Sequence, residues 1–262
     1  MEILIKQLQL RKSLLQLYYQ ANAGHIACSL SCIDILIALF NSKTEQERVI
    51  LSKGHAAAAL YTILNHTGEI TDSALQTFYK NGTKLSAHPS AHSFENIPFA
   101  LGSLGHGLPI ACGIAYANKL QNNKENVFVI LSDGETNEGT TWEAAHFAIA
   151  KKLDNLIVVI DKNKLQGFGY TADVLGDTAA YEKMKAIGFD VVEMDGHNVE
   201  SLVDKISEFK NISNDTPKLI IANTTKGKGV DFMENKLEWH YLPMTADLYE
   251  KALVSLDKNY NA

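Results

Sequence analysis

Val127-Phe128-Val129-Ile130-Leu131, followed by Ser132-Asp133-Gly134-Glu135-Thr136-Asn137-Glu138-Gly139, decides the fold. Five apolar residues without polar alternation read as a central parallel strand buried on both faces. A second such run, Leu156-Ile157-Val158-Val159-Ile160, follows a helical stretch from Thr140 to Lys152. Together they make a strand–helix–strand unit, which should cross over right-handed. Working outward, a helix near Tyr181 to Ala186, a strand near Phe189 to Glu193, a helix near Val199 to Phe209 and a strand at Lys218 to Ala222 continue the alternation. The pattern predicts an α/β protein: an open, mostly parallel sheet covered by helices on both faces. No repeat, low-complexity tract or Pro-rich linker interrupts it, so residues 1–262 read as a single domain.

Upstream, the apolar Ile3, Leu4, Leu8, Leu14, Leu15, Leu17 and Tyr18 recur at roughly helical spacing among Lys6, Gln7, Arg11 and Lys12. That is a surface helix with one face on the core, not a secretory signal. A second helix is expected over Ser31 to Phe40 with Ser29 or Ser31 as its N-cap. Further helices are expected over Ala56 to Leu64, Asp72 to Tyr79, Gly105 to Leu120 and Thr245 to Leu256. The net charge of −6 argues against a nucleic-acid partner, which favours a basic face. No apolar run reaches membrane-spanning length. Cys28, Cys32 and Cys112 have no zinc-type spacing and cannot all pair. They read as buried thiols in a reducing cytoplasm.

Ligands of such sheets bind beyond the carboxyl ends of the strands. Asp133 follows the first buried strand and Asn163 the second. At the ends of adjacent strands they would lie a few ångströms apart and offer hard oxygen atoms, which suit magnesium completed by diphosphate oxygens and water. Gly134 would let backbone N–H groups approach an anion. Singly, Asp133 reads equally well as an Asx turn and Asn163 as a loop residue; the pairing across one strand–helix–strand unit favours the metal.

Ser132-Asp133-Gly134, followed by a strand ending in Asp161-Lys162-Asn163, resembles the thiamine-diphosphate signature GDG…NN. Ser132 replaces its first Gly and Lys162 its first Asn. Four more segments resemble transketolases in particular. Ala21-Asn22-Ala23-Gly24-His25 is similar to ANSGH, and Ser52-Lys53-Gly54-His55-Ala56 matches SKGHA, with His88-Pro89 after it. Gly102-Ser103-Leu104-Gly105-His106-Gly107 resembles the cofactor loop, and Thr225-Lys226-Gly227-Lys228-Gly229 precedes Glu238-Trp239-His240. The resemblance implies magnesium ligation by the Asp133 and Asn163 side chains and the Leu165 carbonyl. It implies thiamine diphosphate binding by His55, Gly102, Leu104, Gly134, Asn163 and His240. It further implies catalytic His25, His55 and His240, substrate contacts from His25 and His88, and Glu138 coupling two cofactor sites. Glu138 also reads as a first-turn carboxylate favoured by a helix dipole. His66, His92, His146 and His197 have no motif context, and His106 is not read as catalytic. Two departures stand out: Ile26-Ala27 where the family has Pro-Gly, and Tyr241 where it often has Gly.

The implied enzyme is the N-terminal subunit of a split transketolase. It would move a two-carbon ketol unit from a ketose (phosphate) to an aldose through a thiamine-diphosphate enamine, with imidazoles handling protons. The pyrimidine-binding domain and its activating glutamate are expected on a C-terminal partner subunit, in an α2β2 heterotetramer. Two other readings stay open: a different thiamine-diphosphate-dependent carbon–carbon lyase or synthase acting on sugars or sugar-nucleotide precursors, and a non-catalytic regulatory subunit of the same fold.

Overall fold

The computed structural model describes residues 1–91, 93–94 and 97–260. His92 lies outside them. Five strands form one parallel sheet: β1 (Arg48–Leu51), β2 (Val127–Ser132), β3 (Leu156–Lys162), β6 (Asp190–Asp195) and β7 (Lys218–Asn223), in the order β1-β2-β3-β7-β6. The short strands β4 (Leu165–Gln166) and β5 (Gly169–Tyr170) make a separate antiparallel hairpin.

Period-two alternation sorts the central strands onto two apolar layers. Phe128, Ile130, Ile157, Val159 and Ile220 face one side. There α1 (Glu2–Ala21), α2 (Ile26–Ser42), α3 (Ala57–His66), α9 (Val199–Lys210) and α10 (Ala246–Tyr260) pack. Val127, Val129, Leu131, Val158, Ile160 and Ile221 face the other side, under α5 (Gly107–Leu120), α6 (Gly139–Ala150) and α8 (Tyr181–Ile187). Every residue of β2 is buried, which explains why the run carries no polar alternation. Each fully buried Val, Leu or Ile stabilises the sheet by roughly 1.5–3 kcal/mol.

Two expectations need correction. The second helix begins at Ile26, five residues before Ser31, and its N-cap is His25 in the left-handed region (φ 74°), without a side-chain cap. Ser29 and Ser31 are inside the helix and buried. The stretch from Asp72 to Tyr79 is helical only as α4 (Asp72–Leu75), capped by the Thr71 hydroxyl accepting from the Ala74 N–H. Tyr79 then turns left-handed (φ 61°), and its N–H donates to the Leu85 carbonyl at 2.7 Å, which directs the chain away from a helix. A single turn, α7 (Thr171–Leu175), follows the hairpin. Among the described residues no helix is long and apolar enough to cross a membrane.

Candidate active site

Four parallel strands deliver residues to one end of the sheet. β1 leads into Ser52, Lys53 and His55; β2 into Asp133 and Gly134; β3 into Asn163 and Leu165; β7 into Thr224 and Lys226. Ser132 pairs in register with Asp161, so the loops after β2 and β3 start side by side. The Asp133 carboxylate accepts from Gly134 N–H at 2.8 Å, Lys164 N–H at 2.6 Å and the Thr171 hydroxyl at 3.2 Å. Asn163 Oδ1 accepts from Leu165 N–H at 3.1 Å. The turn-capping roles of Asp133 and Asn163 are therefore real, and they aim both side chains at the same cavity.

That cavity, about 290 Å³, is lined by His55, His88 and His240, by Gly102 and Leu104, and by Asp133, Gly134, Glu138, Asn163 and Leu165. His25 lines an adjoining chamber of about 160 Å³, which shares His55, His88 and Tyr241 with the first. The four motif histidines thus converge. Ring centroids lie 5.2 Å apart for His25–His240, 5.7 Å for His25–His55 and His55–His240, and 6.0 Å for His25–His88. Burial lowers His25, His55 and His240 to about 4. Neighbouring His240, His88 and Lys226 add to the effect on His25, and Lys226 to that on His240. All three imidazoles are neutral at pH 7.

Glu138 is exposed and sits at the N-cap of α6 without a side-chain cap bond. His106 is exposed on its own loop. His197 is structural. Its Nδ1 meets the buried Asp34 carboxylate at 2.7 Å, and its Nε2 accepts from Thr225 N–H at 2.8 Å, so the proton resides on Nδ1. Ile26 and Ala27 are fully buried in the first turn of α2 and belong to the core, so this departure does not enter the cavity.

The charged floor of the site escaped sequence reasoning. Lys53 and Asp161 form a fully buried ion pair beneath the imidazoles. The Ser31 hydroxyl donates to Asp161 at 2.6 Å, and the Thr224 hydroxyl also reaches it. Burial opposes both charges, yet the pairing holds Asp161 below and Lys53 above their ordinary values. Lys226, likewise buried, donates to the Leu165 carbonyl and to His240 Nδ1, each at 2.9 Å. Nδ1 is therefore an acceptor, and the His240 proton lies on Nε2. Burial would raise the Cys28 thiol, but Lys226 and His55 outweigh it and bring it down to about 6; its Sγ lies 3.7 Å from His240 Nδ1. Glu135 anchors the glycine loop, accepting from Gly105 N–H at 2.7 Å, Ser132 N–H at 3.3 Å and the Ser52 hydroxyl. Lys53, Asp161, Lys226 and Glu135 stand inside the motifs, but only burial reveals their part; Cys28, Ser31 and Thr224 lie outside them.

Among the described residues no group of three or more His, Cys, Asp or Glu side chains is placed to hold a metal ion. A magnesium site built as expected here would use one carboxylate and two neutral oxygens, a donor set that diphosphate and water complete. Two observations fit it. Asp133 is buried, and burial together with the Asp161 charge pushes it up to about 6. The Leu165 carbonyl already attracts a cation, the Lys226 ammonium. Gly134 fits close approach as well, since a Cβ there would lie 2.9 Å from the Gln166 Cβ.

A groove of about 410 Å³ lies at the opposite end of the sheet, among Lys119, Asn126, Asp154, Asn155 and Lys210. It is larger, but it borders the amino ends of the strands, away from the imidazoles and from the end where parallel sheets bind ligands.

Residues 9–258 match the family model described as transketolase, thiamine diphosphate binding domain. The chain is 38% identical over 255 residues to one subunit of the apulose-4-phosphate transketolase of Phocaeicola vulgatus, covering 93% of this chain and 89% of that one. It is 34% identical over 259 residues to a 6-deoxy-6-sulfo-D-fructose transketolase subunit of a Clostridium species, covering 95% and 94%. The crystal structure of Campylobacter jejuni transketolase superimposes with a TM-score of 0.88 at 29% identity, over 100% of this chain but only 44% of that one.

Proposed function

The chain belongs to the transketolase family of thiamine diphosphate binding domains, and from this premise we propose that it is the cofactor-holding subunit of a two-subunit transketolase. It would transfer a two-carbon ketol unit from a ketose donor to an aldose acceptor. The observation that carries the reading is the gathering of His55, His88 and His240 on the cavity that also receives Asp133, Asn163 and Leu165, with the His25 ring in the adjoining chamber 5.2–6.0 Å from all three. A purely structural subunit has no use for four imidazoles clustered on adjoining cavities, and this favours an enzyme over the non-catalytic alternative.

Thiamine diphosphate, when bound, supplies the electron sink for breaking a bond beside a carbonyl. The chain's own residues hold it and manage protons. Asp133, Asn163 and the Leu165 carbonyl would ligate magnesium, and Gly134 with the loop at Gly102 and Leu104 would receive the diphosphate. Lys226 places a buried positive charge on the same wall. Neutral imidazoles are weak bases but good N–H donors, so His25 and His240 would stabilise oxygen charge developing on the substrate. For His240 the donor is Nε2, because Lys226 occupies Nδ1. An anionic diphosphate beside His55 and His240 would raise their proton affinity and let them exchange protons nearer neutral pH. His88, half-buried at the junction of both cavities, is suited to substrate contact.

The relatives named as subunits support a second polypeptide carrying the pyrimidine-binding half and its activating glutamate. We place the complex in the cytoplasm as a heterotetramer of two chains of each kind, with Glu138 linking its cofactor sites. Purifying the tagged chain from its own cells with magnesium, then assaying ketol transfer with and without the co-purified partner, tests this reading. Activity only in the complex is expected. Turnover by the isolated chain would overturn the two-subunit assignment.

A further inference from the structure

Tyr241 stands where the two cavities meet and lines both. Its ring centroid is 4.7 Å from that of His240, and its hydroxyl donates to the Gly167 carbonyl at 2.9 Å, tying the His240 turn to the β4–β5 hairpin. The fit at Gly167 is close: a Cβ there would lie 2.3 Å from the Tyr241 hydroxyl oxygen, while the next atom, ring Cζ, is 3.4 Å away. On the other side a Cβ on Gly24 would lie 2.4 Å from the Tyr241 carbonyl oxygen, and His25 N–H donates to the His240 carbonyl at 3.1 Å. Tyr241 is thus clamped from both sides, although 56% of its surface is exposed. Beyond it, the chamber behind His25 is walled by Tyr18, Phe78 and Tyr79, and among the described residues no Lys or Arg lines it. A phosphate or sulfonate there would find no counter-charge on this chain, and burying it unpaired is costly.

We propose that Tyr241, latched to Gly167, is a specificity-determining residue. It walls the chamber behind His25 so that only a short, uncharged, hydroxylated part of the sugar fits beside the imidazoles. This rests on the ketol-transfer reading and adds to it which part of the substrate is sorted by size. One surplus methylene in a fitted pocket changes discrimination by about tenfold or more.

The test uses the complex of the chain with its partner. The ratio of kcat/KM for a longer or branched unphosphorylated aldose to that for glycolaldehyde is measured in wild type, Tyr241→Phe and Tyr241→Gly. The ratio should rise about tenfold in Tyr241→Gly and stay near wild type in Tyr241→Phe; an unchanged ratio in Tyr241→Gly overturns the wall. For the latch, Gly167→Ala should lower the thermal midpoint and Gly167→Ala with Tyr241→Phe should restore it, because only the hydroxyl clashes; absence of rescue overturns the latch. A wild-type complex that transfers no ketol unit defeats the proposed reaction instead. The wall is then judged by carbethoxylation of His25 with diethyl pyrocarbonate, followed by mass spectrometry against exposed His66. Faster modification in Tyr241→Gly supports the wall, and an equal rate overturns it.

Discussion

The two ends of the sheet are built from the same polar alphabet and do different things with it. At the amino ends of the strands, Lys119 pairs with Asp154 at 2.8 Å and Lys152 with Asp215 at 2.8 Å, all within reach of water. At the carboxyl ends, the Lys53–Asp161 pair is wholly excluded from water. Exposed pairs of this kind gain little, because solvent already satisfies each partner. A buried pair is a commitment, since removing either member strands the other in a low dielectric. The Lys119–Asp154 and Lys152–Asp215 pairs therefore mark a solvated rim and the Lys53–Asp161 pair a site, and burial, not residue type, separates them.

Lys53→Met gives the largest effect by which that contrast can be broken. It strands the Asp161 charge and should cost about 3–5 kcal/mol in chemical denaturation. A loss no larger than that of Lys119→Met would erase the distinction between the two ends. Next, Asp133→Ala should weaken magnesium-dependent thiamine diphosphate binding by more than about 100-fold in calorimetric titration, beyond what losing an outer-shell metal contact costs. Equal binding by wild type and variant would remove Asp133 from the ligand set.

A smaller, pH-dependent effect sharpens the comparison further. His25, His55 and His240 protonate near 6.5 when unfolded and near 4 when folded. Below 6.5 the unfolded chain takes up protons that the folded chain refuses, so stability contributed by the neutral imidazoles is full above 6.5 and declines towards 4. Thermal midpoints measured across that window should fall, and the fall should be shallower in His25→Gln with His240→Gln. Last, Asp154→Asn at the opposite end should leave cofactor affinity unchanged; a loss there would make the 410 Å³ groove part of the binding surface.

The strand–helix–strand unit was legible, because β2 and β3 are buried on both faces and their short, β-branched apolar runs favour strands over buried helices. The grouping of the histidines was legible only through the family resemblance, since spacing along the chain does not bring them together. What could not be read was set by tertiary contact. Ser31 looks like a helix cap in sequence, yet its hydroxyl is spent on Asp161 and the Cys28 carbonyl, and the helix starts instead from a left-handed His25. Lys53, Asp161 and Lys226 are polar letters within motifs, and nothing local distinguishes them from surface charges. The β4–β5 hairpin has two residues per strand, too few to show alternation.

Glu135 binds the loop from Gly102 to Gly107 to the ends of β1 and β2, and Gly107 N–H donates to the Ser52 hydroxyl at 3.0 Å. The same loop is closed against Glu138 and Thr140, where a Cβ on Gly105 would lie 2.7 and 2.4 Å from their atoms. This wall is a fixed moulding, set when the chain folds and not when a guest arrives. The entropy of ordering it falls on folding, so a molecule seated there meets a finished berth.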